Sequence, residues 1–175
     1  MGGHIAIRFL QEKDALDYSG IRRAALETEE DAFGSSPQEH AALTINDIAG
    51  RITFVPSEKF VVGAFIGERL VGTAGFFRNQ GLKERHKGQI WGVYLAREVR
   101  GKSVGKQMLR LLLDRATTIE GLEQIKLAVA TTQRAAVSLY RSLGFESFGL
   151  ERGALKIGDK YIDEEHMVLN VRRQP

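Results

Sequence analysis

The stretch that decides the fold is IWGVYLAREVRGKSVGK, residues 90–106. Its first part is rich in β-branched and aromatic residues, which favours a strand that ends at Leu95. A short basic loop follows, and apolar residues then recur at helical spacing over residues 104–119. The first amides of a helix have no acceptor within the helix, and the helix dipole adds partial positive charge there. The stretch therefore predicts an anion-binding site.

Glycines and basic side chains support this prediction. Gly101 and Gly105 allow the backbone to approach an anion closely because they have no Cβ. Arg100, Lys102 and Lys106 add positive charge around the helix start. The Walker A pattern and the G-x-G-x-x-G fingerprint do not fit this stretch. The competing interpretation is an ordinary helix start that carries solvated lysines.

The rest of the chain predicts further strands and helices. Strands are predicted over residues 4–9, 59–66, 70–77, 89–95, 124–130, 145–150 and 161–171. Helices are predicted over residues 15–28, near Pro37, from Ile45, and over residues 104–119 and 134–143. Asp14 is expected to cap the first helix, with Leu16 on its apolar face. This order predicts one α/β domain over residues 1–175, with a mixed, mostly antiparallel sheet of about seven strands and helices on both faces.

Composition argues against several function classes. The chain has 175 residues, of which 43% are hydrophobic and 27% charged, as in ordinary globular domains. Its apolar runs are far shorter than the roughly 20 residues of a membrane-spanning helix. It has no cysteine, which fits a cytoplasmic location, and its four histidines stand apart, so we expect no metal site. The net charge of +3 comes without interleaved basic and aromatic residues, so we expect neither nucleic acid nor a membrane as partner.

Two blocks resemble the GCN5-related N-acetyltransferase family, GNAT. The first is Arg100-Gly101-Lys102-Ser103-Val104-Gly105, which is similar to the family's Gln/Arg-x-x-Gly-x-Gly/Ala signature. The second is Gln133-Arg134-Ala135-Ala136-Val137-Ser138-Leu139-Tyr140 with Leu143-Gly144-Phe145, which is similar to its Asn-x-x-Ala-x-x-Leu-Tyr and Gly-Phe block. Because the blocks occur in order, with a predicted helix and strand of fitting length between them, the resemblance is specific over residues 90–148.

The resemblance implies a GNAT-like fold and an acetyl-CoA-dependent N-acyltransferase, with acetyl-CoA as co-substrate. The loop amides are expected to bind the CoA pyrophosphate, and the end of the preceding strand to pair with the pantetheine arm like an added strand. We expect that strand and the strand over residues 124–130 to splay apart around a bulge. The expected cofactor-binding residues are Val93, Tyr94, Leu95, Arg100, Gly101, Lys102, Ser103, Val104, Gly105, Lys106 and Gln133.

The resemblance also implies a catalytic role for Tyr140. A tyrosine with a pKa of about 10 keeps its proton at neutral pH, so Tyr140 is expected to protonate the departing thiolate. A backbone amide near Tyr94 or Leu95 is expected to stabilise charge on the thioester oxygen. The acceptor amine attacks directly, which needs no cysteine nucleophile. The competing interpretation of Tyr140 is a core aromatic on a helix face.

Three positions depart from the family pattern. Ser103 replaces a glycine, so its Cβ hinders close approach or its hydroxyl caps the helix or binds phosphate. Gln133 replaces an asparagine. Lys87 and Ala128 occupy positions where some members have a glutamate base, so no base is assigned. Other candidate bases, each of which reads equally as a surface charge, are Glu27, Glu30, His86 and Glu165.

The resemblance places the acceptor site near residues 26–43, 78–86 and 149–161. The aromatic residues that could line it, or serve as core, are Phe76, Phe77, Trp91 and Tyr161. The acidic residues that could attract a cationic amine are Asp163, Glu164 and Glu165. We expect the primary amine of a small molecule as acceptor. The alternatives are a protein N-terminal or lysine acetyltransferase and a CoA-binding sensor without turnover, and the residues leave a homodimer open.

Overall fold

The computed structural model describes residues 4–171, which form a seven-stranded sheet with helices on both faces. The strands are β1 (Ile5–Phe9), β2 (Lys59–Ile66), β3 (Arg69–Arg78), β4 (Lys87–Leu95), β5 (Gln124–Ala130), β6 (Glu146–Ile157) and β7 (Lys160–Asn170). The α-helices are α1 (Ala15–Thr28), α2 (Pro37–Ala41), α3 (Ile45–Ile52), α4 (Val104–Ala116) and α5 (Arg134–Ser142). Short 3-10 turns lie at Glu12–Asp14, Glu30–Ala32 and Arg97–Val99.

The sheet is mixed and mostly antiparallel, as predicted. Its strand order is β1-β2-β3-β4-β5-β7-β6. The β4–β5 pair is parallel and the other neighbours are antiparallel. A parallel pair needs a crossover connection, and the turn at Arg97–Val99 followed by α4 supplies it. The predicted anion site therefore lies within this crossover.

Two apolar clusters cover the two faces of the sheet. One joins the sheet to α4 and α5 through buried residues such as Met108, Leu112 and Tyr140. The other joins it to α1 and α3 through residues such as Tyr18 and Ile52. Each helix contributes one apolar stripe, which is the reason that the sheet is buried on both sides.

The first helix differs from its prediction in two details. The Asp14 side chain does not cap α1; its carboxylate accepts two hydrogen bonds from Arg8, at 2.8 and 2.7 Å, and one from the Gln11 amide. This ion pair holds the pKa of Asp14 below its usual range. Leu16 is 75% exposed, because the buried face of α1 is formed by Ala15, Tyr18 and the residues that follow them at helical spacing.

Two element ends were also predicted wrongly. The helix predicted over residues 104–119 ends at Ala116, and Ile119 is buried from the turn that follows. The strand predicted over residues 145–150 continues to Ile157. Its pairing with β7 shifts between Ser147 and Gly149 and again after Glu151, so regular alternation is lost where the prediction stopped.

The strands β4 and β5 diverge, as the resemblance implied. Their pairing covers only residues 87–89 of β4. From Ile90 onward, no strand among residues 4–171 pairs with β4 on that side. On its other side, two steps along β3 from Thr73 to Gly75 match three steps along β4 from Tyr94 to Trp91. This bulge contains Gly92, which has a φ of +60°. A one-residue bulge bends the strand and changes its direction relative to its neighbour.

Within residues 4–171, no helix combines the length and apolar character that crossing a membrane would require.

The bulge predicts a stability difference between two glycine substitutions. Gly92→Ala places a Cβ on a left-handed residue, so we expect the free energy of unfolding to fall by about 1 kcal/mol. The matched control is Gly20→Ala in α1, where the added methyl group meets nothing within 4 Å. We expect that control to gain about 0.5–1 kcal/mol from higher helix propensity. Urea unfolding of both variants measures the difference, and equal effects would contradict the left-handed bulge.

Candidate active site

The loop before α4 presents a run of unpaired backbone amides. The first bond into the helix runs from the Gln107 amide to the Ser103 carbonyl, at 3.1 Å. Within the part of the chain that the structure describes, the amides of residues 101–106 have no acceptor. Gly101, Lys102 and Ser103 are exposed whereas Val104 and Gly105 are buried, and all six amides lie at the positive end of a helix dipole. Such a group of donors suits the oxygens of a phosphate.

Two left-handed residues shape this loop. Gly101 has a φ of +73° and Ser103 a φ of +61°. Ser103 is the one non-glycine residue with positive φ among the described residues, and its side chain makes no capping hydrogen bond. A left-handed serine costs about 1 kcal/mol more than a glycine would. The glycine of the family signature therefore matches the conformation that this position adopts.

Gly105 packs closely against two neighbouring elements. It is buried, and a Cβ at this position would lie 3.1 Å from a methyl carbon of Leu95 and 3.2 Å from one of Leu139. The start of α4 thus lies against the end of β4 and against α5. This contact brings the loop next to the helix that carries Tyr140.

The basic side chains of the loop differ in their partners. Arg100 donates through Nε to the Leu95 carbonyl at 3.0 Å and forms an ion pair with Glu29 at 2.7 Å. Its charge is therefore balanced, and it fastens the loop to β4 and to the end of α1. Lys102 and Lys106 form no ion pair with any residue in 4–171. These two lysines supply the unbalanced positive charge of the loop.

The open end of β4 carries the three residues expected to pair with pantetheine. Val93 and Leu95 pack toward the cluster under α4 and α5, whereas Tyr94 packs toward the cluster under α1 and α3. Trp91 lies on the same side as Tyr94 because the extra residue at Gly92 reverses the alternation. The Tyr94 hydroxyl lies 3.4 Å from Thr28 Oγ1. The side chains are thus fixed while one backbone edge of the strand stays free.

Tyr140 lies on α5, and Gln133 directly precedes that helix. Tyr140 is 5% exposed, and its ring packs edge-on against Phe145 with the centroids 5.9 Å apart. Its hydroxyl donates no hydrogen bond to the described residues. Burial raises the pKa of Tyr140 above its usual value, so the phenol is neutral at every working pH. Gln133 is half-buried.

A cavity of about 700 Å³ lies where β4 and β5 separate. Trp91 and Gly92 line it from β4, Ala128 from β5, and Glu164 from β7. Phe33, in the loop after α1, lines the opposite wall. The lining residues Arg22, Phe33 and Trp91 place the cavity on the α1 face of the sheet, beside the gap between the two strands. The loop and Tyr140 lie on the other face.

The cavity agrees only in part with the predicted acceptor site. Two of the three predicted segments contribute, through residues 32–35 and through Arg78, Asn79, Gln80 and Glu84. Of the predicted aromatic residues, Phe77 and Trp91 line the cavity, Phe76 is a core residue, and Tyr161 is 61% exposed elsewhere. The third segment, 149–161, does not line the cavity. It contacts the loop after α1 through the ion pair of Lys160 with Asp31, at 3.1 Å.

Glu164 is the acidic side chain of β7 that lines the cavity. Its neighbours on the strand are engaged elsewhere: Glu165 pairs with Arg141 at 2.8 Å, and Asp163 accepts from the Gly153 amide. Burial raises the pKa of Glu164 above its usual range; His166 opposes this and Glu151 adds to it. A carboxylate with a raised pKa is a stronger base.

Glu164 belongs to a cluster that the sequence did not predict. Glu151, Glu164 and His166 each place one donor atom within 4.8 Å of the others. His166 Nε2 already lies 2.9 Å from Glu151, which is exposed. Alternation along β7 is the signal that could have found Glu164, since every second residue shares the face of Ala128. The bases considered from sequence, Glu27, Glu30, His86 and Glu165, do not line the cavity.

Arg22 also lines the cavity, and it was not singled out from the sequence. It lines the same cavity from α1, and its Nη1 is buried without a hydrogen-bond partner. Its signal in the sequence is a charged residue between Ile21 and Ala25, within the buried stripe of the helix.

Comparison with known proteins gives a family match. A family model described as the acetyltransferase (GNAT) family matches residues 15–145. One curated relative is the N-alpha-acetyltransferase RimI of Mycobacterium tuberculosis, 37% identical over 91 residues that make up 52% of this chain and 54% of the relative. Another is the L-methionine sulfoximine/L-methionine sulfone acetyltransferase of Pseudomonas paraeruginosa, 35% identical over 80 residues and 45% of each chain. The matches thus span about half of these two relatives and 23% of a longer one.

Solved structures share the whole fold at lower identity. The Salmonella typhimurium protein yncA, solved with its cofactor acetyl-CoA, has a TM-score of 0.82 and 18% sequence identity. The match covers 99% of this chain and 97% of that chain. At this identity the likeness supports the fold and nothing finer.

The strained loop predicts the effect of Ser103→Gly. The change removes a left-handed side chain that makes no hydrogen bond and leaves the amides in place. We expect the free energy of unfolding to change by less than about 1 kcal/mol, because relief of strain is offset by greater freedom of the unfolded chain. We expect the Kd for CoA, measured by calorimetry, to be equal or lower.

Ser103→Ala is the control for the hydroxyl. It keeps the Cβ and the strain, so its affinity should match that of the wild type. A large loss of CoA affinity in both variants would show that the hydroxyl binds phosphate.

Proposed function

The chain belongs to the acetyltransferase (GNAT) family, and from this premise we propose that it transfers an acetyl group from acetyl-CoA to the primary amine of a small molecule by direct attack. The observation that carries the proposal is the run of free amides at residues 101–106, next to a strand with an open edge and a cavity. These features supply a place for the diphosphate, the arm and the acceptor, respectively.

The loop would hold the CoA diphosphate. The amides of residues 101–106 donate to its oxygens, and Lys102 and Lys106 add charge. Arg100 acts indirectly, because its ion pair with Glu29 keeps the loop against β4. A helix start with free amides needs little rearrangement to bind an anion, which lowers the cost of binding.

The open edge of β4 would hold the pantetheine arm. Within residues 4–171, no strand pairs with residues 90–95 on the β5 side, and an extended amide chain can pair there as an added strand up to the Leu95 carbonyl, which accepts from Arg100. An arm that follows this edge leads from the loop at the end of β4 toward the bulge at Gly92. A free amide near Tyr94 would then stabilise the negative charge on the carbonyl oxygen.

The acceptor amine would enter from the cavity on the α1 face. Its ammonium form must lose a proton before it can attack, and Glu164 is the carboxylate placed to receive it. The amine then forms a bond to the acetyl carbon while the carbon–sulfur bond breaks, and the electron pair of that bond stays on sulfur.

Tyr140 would stabilise the departing thiolate. A thiol has a pKa near 8.5, whereas burial raises the pKa of the Tyr140 phenol above 10. Complete transfer of the phenolic proton to sulfur is therefore uphill. Tyr140 acts chiefly by donating a hydrogen bond to the thiolate, and the released proton of the amine can neutralise the thiolate later.

The volume of the cavity agrees with a small acceptor, although the cavity is also open to solvent, as a site for a peptide would be. A volume of about 700 Å³ lies within the range of small-molecule sites, about 300–1,000 Å³. One relative is named for acting on L-methionine sulfoximine, which is a small molecule. The likeness to an N-alpha-acetyltransferase keeps a protein N-terminus as the second candidate. The cytoplasmic location and the homodimer stay predictions.

The first test is thiol release from acetyl-CoA over a panel of small amines and N-terminal peptides, with wild type and Tyr140→Phe. We expect turnover with small amines, and we expect the variant to lower kcat about 100-fold, because it lacks the donor to the thiolate. Its affinity for acetyl-CoA should change little. A CoA-binding sensor would show tight binding without turnover on any acceptor, and unchanged kcat in Tyr140→Phe would remove the proposed role of that residue.

The second test is the pH dependence of Glu164→Gln. We expect the kcat/KM of the wild type to rise with pH through the raised pKa of Glu164, and the variant to lose this step and about 10- to 100-fold in rate at pH 7. A raised carboxyl pKa means that the folded state binds protons more tightly, so stability falls as pH rises through that range. Glu164→Gln should therefore be at least as stable as the wild type at pH 7, with the difference vanishing at acidic pH. Glu165→Gln, on the opposite face, is the control and should keep the rising step.

A further inference from the structure

Arg22 occupies an unusual place for a charged residue. It lies on α1 within the buried stripe that contains Tyr18 and Leu26. Its Nη1 points to the bulge of β4, since a Cβ built on Gly92 would lie 3.7 Å from it. The guanidinium borders both the main cavity and a smaller one of about 140 Å³. It therefore lies at the wall of the proposed acceptor site, beside β4, the strand along which we propose that the acetyl-CoA arm binds.

This guanidinium has no anionic partner in the part of the chain that the structure describes. Its Nη1 is screened from solvent and has no hydrogen-bond acceptor. It makes an attractive contact with the ring of Phe33, whose centroid lies 4.5 Å from Cζ. Burial lowers the pKa of Arg22 from its usual value; Tyr18 opposes this and Arg51 adds to it. A guanidinium nitrogen that is buried without an acceptor destabilises a folded protein, so it is retained where something outside the chain supplies the acceptor.

The carboxylates near Arg22 do not fill this role. Glu84 and Glu164 line the main cavity, and Glu39 lines the smaller one, but none of them forms an ion pair with Arg22. Glu39 instead accepts from the Ser36 amide at 2.7 Å. A second guanidinium of the lining, Arg78, donates to the backbone carbonyls of Arg85 and Glu120. The cavity thus has a cationic wall at Arg22, whose buried nitrogen lacks an acceptor, and an acidic wall at Glu164.

We propose that the acceptor is a small amino acid whose free carboxylate binds Arg22 while its amine faces Glu164. The inference rests on the proposed acetyl transfer and names the substrate class of that same site. The guanidinium fork matches the two oxygens of a carboxylate, and the pair forms away from water, where charge-assisted bonds are strong. An amino acid carries a carboxylate that complements Arg22 and an ammonium group that complements Glu164.

The experiment compares matched acceptors. L-Amino acids and their carboxamides are tested in pairs, and kcat/KM is measured by thiol release from acetyl-CoA. The carboxamide has the less basic amine and more free nucleophile at pH 7.5, so a preference for the acid cannot come from amine basicity. We expect the acid of the best pair to exceed its carboxamide by about 10- to 100-fold, as charge-assisted bonds imply.

Variants of Arg22 separate recognition from folding. Arg22→Met keeps the apolar stem and removes the charge, so the ratio of acid to carboxamide should fall to about one, mainly through a higher KM for the acid. Arg22→Lys should restore part of the ratio, since it keeps the charge and loses the fork. Arg23→Met is the matched control, because Arg23 is the next residue of α1 and is exposed. Its ratio should equal that of the wild type.

Thermal unfolding without acceptor gives a second readout. A structural role for Arg22 predicts a lower Tm for Arg22→Met, whereas a vacant anion site predicts an equal or higher Tm. With CoA bound, the preferred amino acid should raise the Tm of the wild type and not that of the variant.

The outcomes distinguish this inference from the proposed activity. Turnover that favours carboxamides or simple amines, or an acid preference that survives in Arg22→Met, overturns the inference and leaves acetyl transfer intact. Absence of turnover with every amine contradicts the proposed activity. In that case an amino acid that raises the Tm through Arg22 still supports a carboxylate site, and no Tm shift with any acid overturns it.

Discussion

The divergence of β4 from β5 is the constraint on which the site depends. Ladder pairing between the two strands stops after Gln89, and the bulge at Gly92 prevents it from resuming. The bulge also reverses which side chains face each helix layer, so Val93 and Leu95 pack under α4 while Trp91 and Tyr94 pack under α1. A continuous sheet would separate the two faces. The loop lies on one face of this divergence and the cavity on the other, and the proposed reaction requires the pantetheine arm and the acceptor to meet between the two strands.

The loop at the end of β4 is shaped by backbone conformation more than by side-chain charge. Left-handed residues at 101 and 103 turn the chain so that successive amides face outward. The strain at Ser103 is held by the packing of Gly105 against Leu95 and Leu139 and by the ion pair of Arg100 with Glu29. Anion binding and strand geometry are thus coupled, because the same loop ends β4 and begins α4. A change in the bulge would shift the amides as well as the arm that they position.

The parts of this protein that could be predicted from sequence are those with a local cause. The strand, loop and helix of residues 90–106 follow from alternation, turn residues and helical spacing, and the order of elements gave the mixed sheet. The cap assigned to Asp14 failed because a guanidinium from β1, six residues away, competes for the carboxylate. The end of β6 failed because its pairing with β7 continues through register shifts that break the period. Arg22 was not singled out from the sequence, and Glu164 was named only as an acidic residue that could attract a cationic amine, because the roles of both depend on which elements lie together at the cavity. A local sequence pattern cannot predict that a charged side chain on the apolar face of a helix will have no ion-pair partner in the fold.

Two side chains that line the cavity lower the stability of the folded chain. An unpaired guanidinium at Arg22 and a carboxylate with a raised pKa at Glu164 both lose hydration on folding. If the two side chains served only to hold the fold, a direct ion pair would be the more stable arrangement, yet the two form none. Groups kept apart and poorly hydrated are ready to interact with a ligand of complementary charge, since little of their hydration must be removed on binding. We therefore infer the chemical class of the acceptor from the two charged side chains that the fold leaves without an ion pair, more than from the uncharged residues that line the cavity.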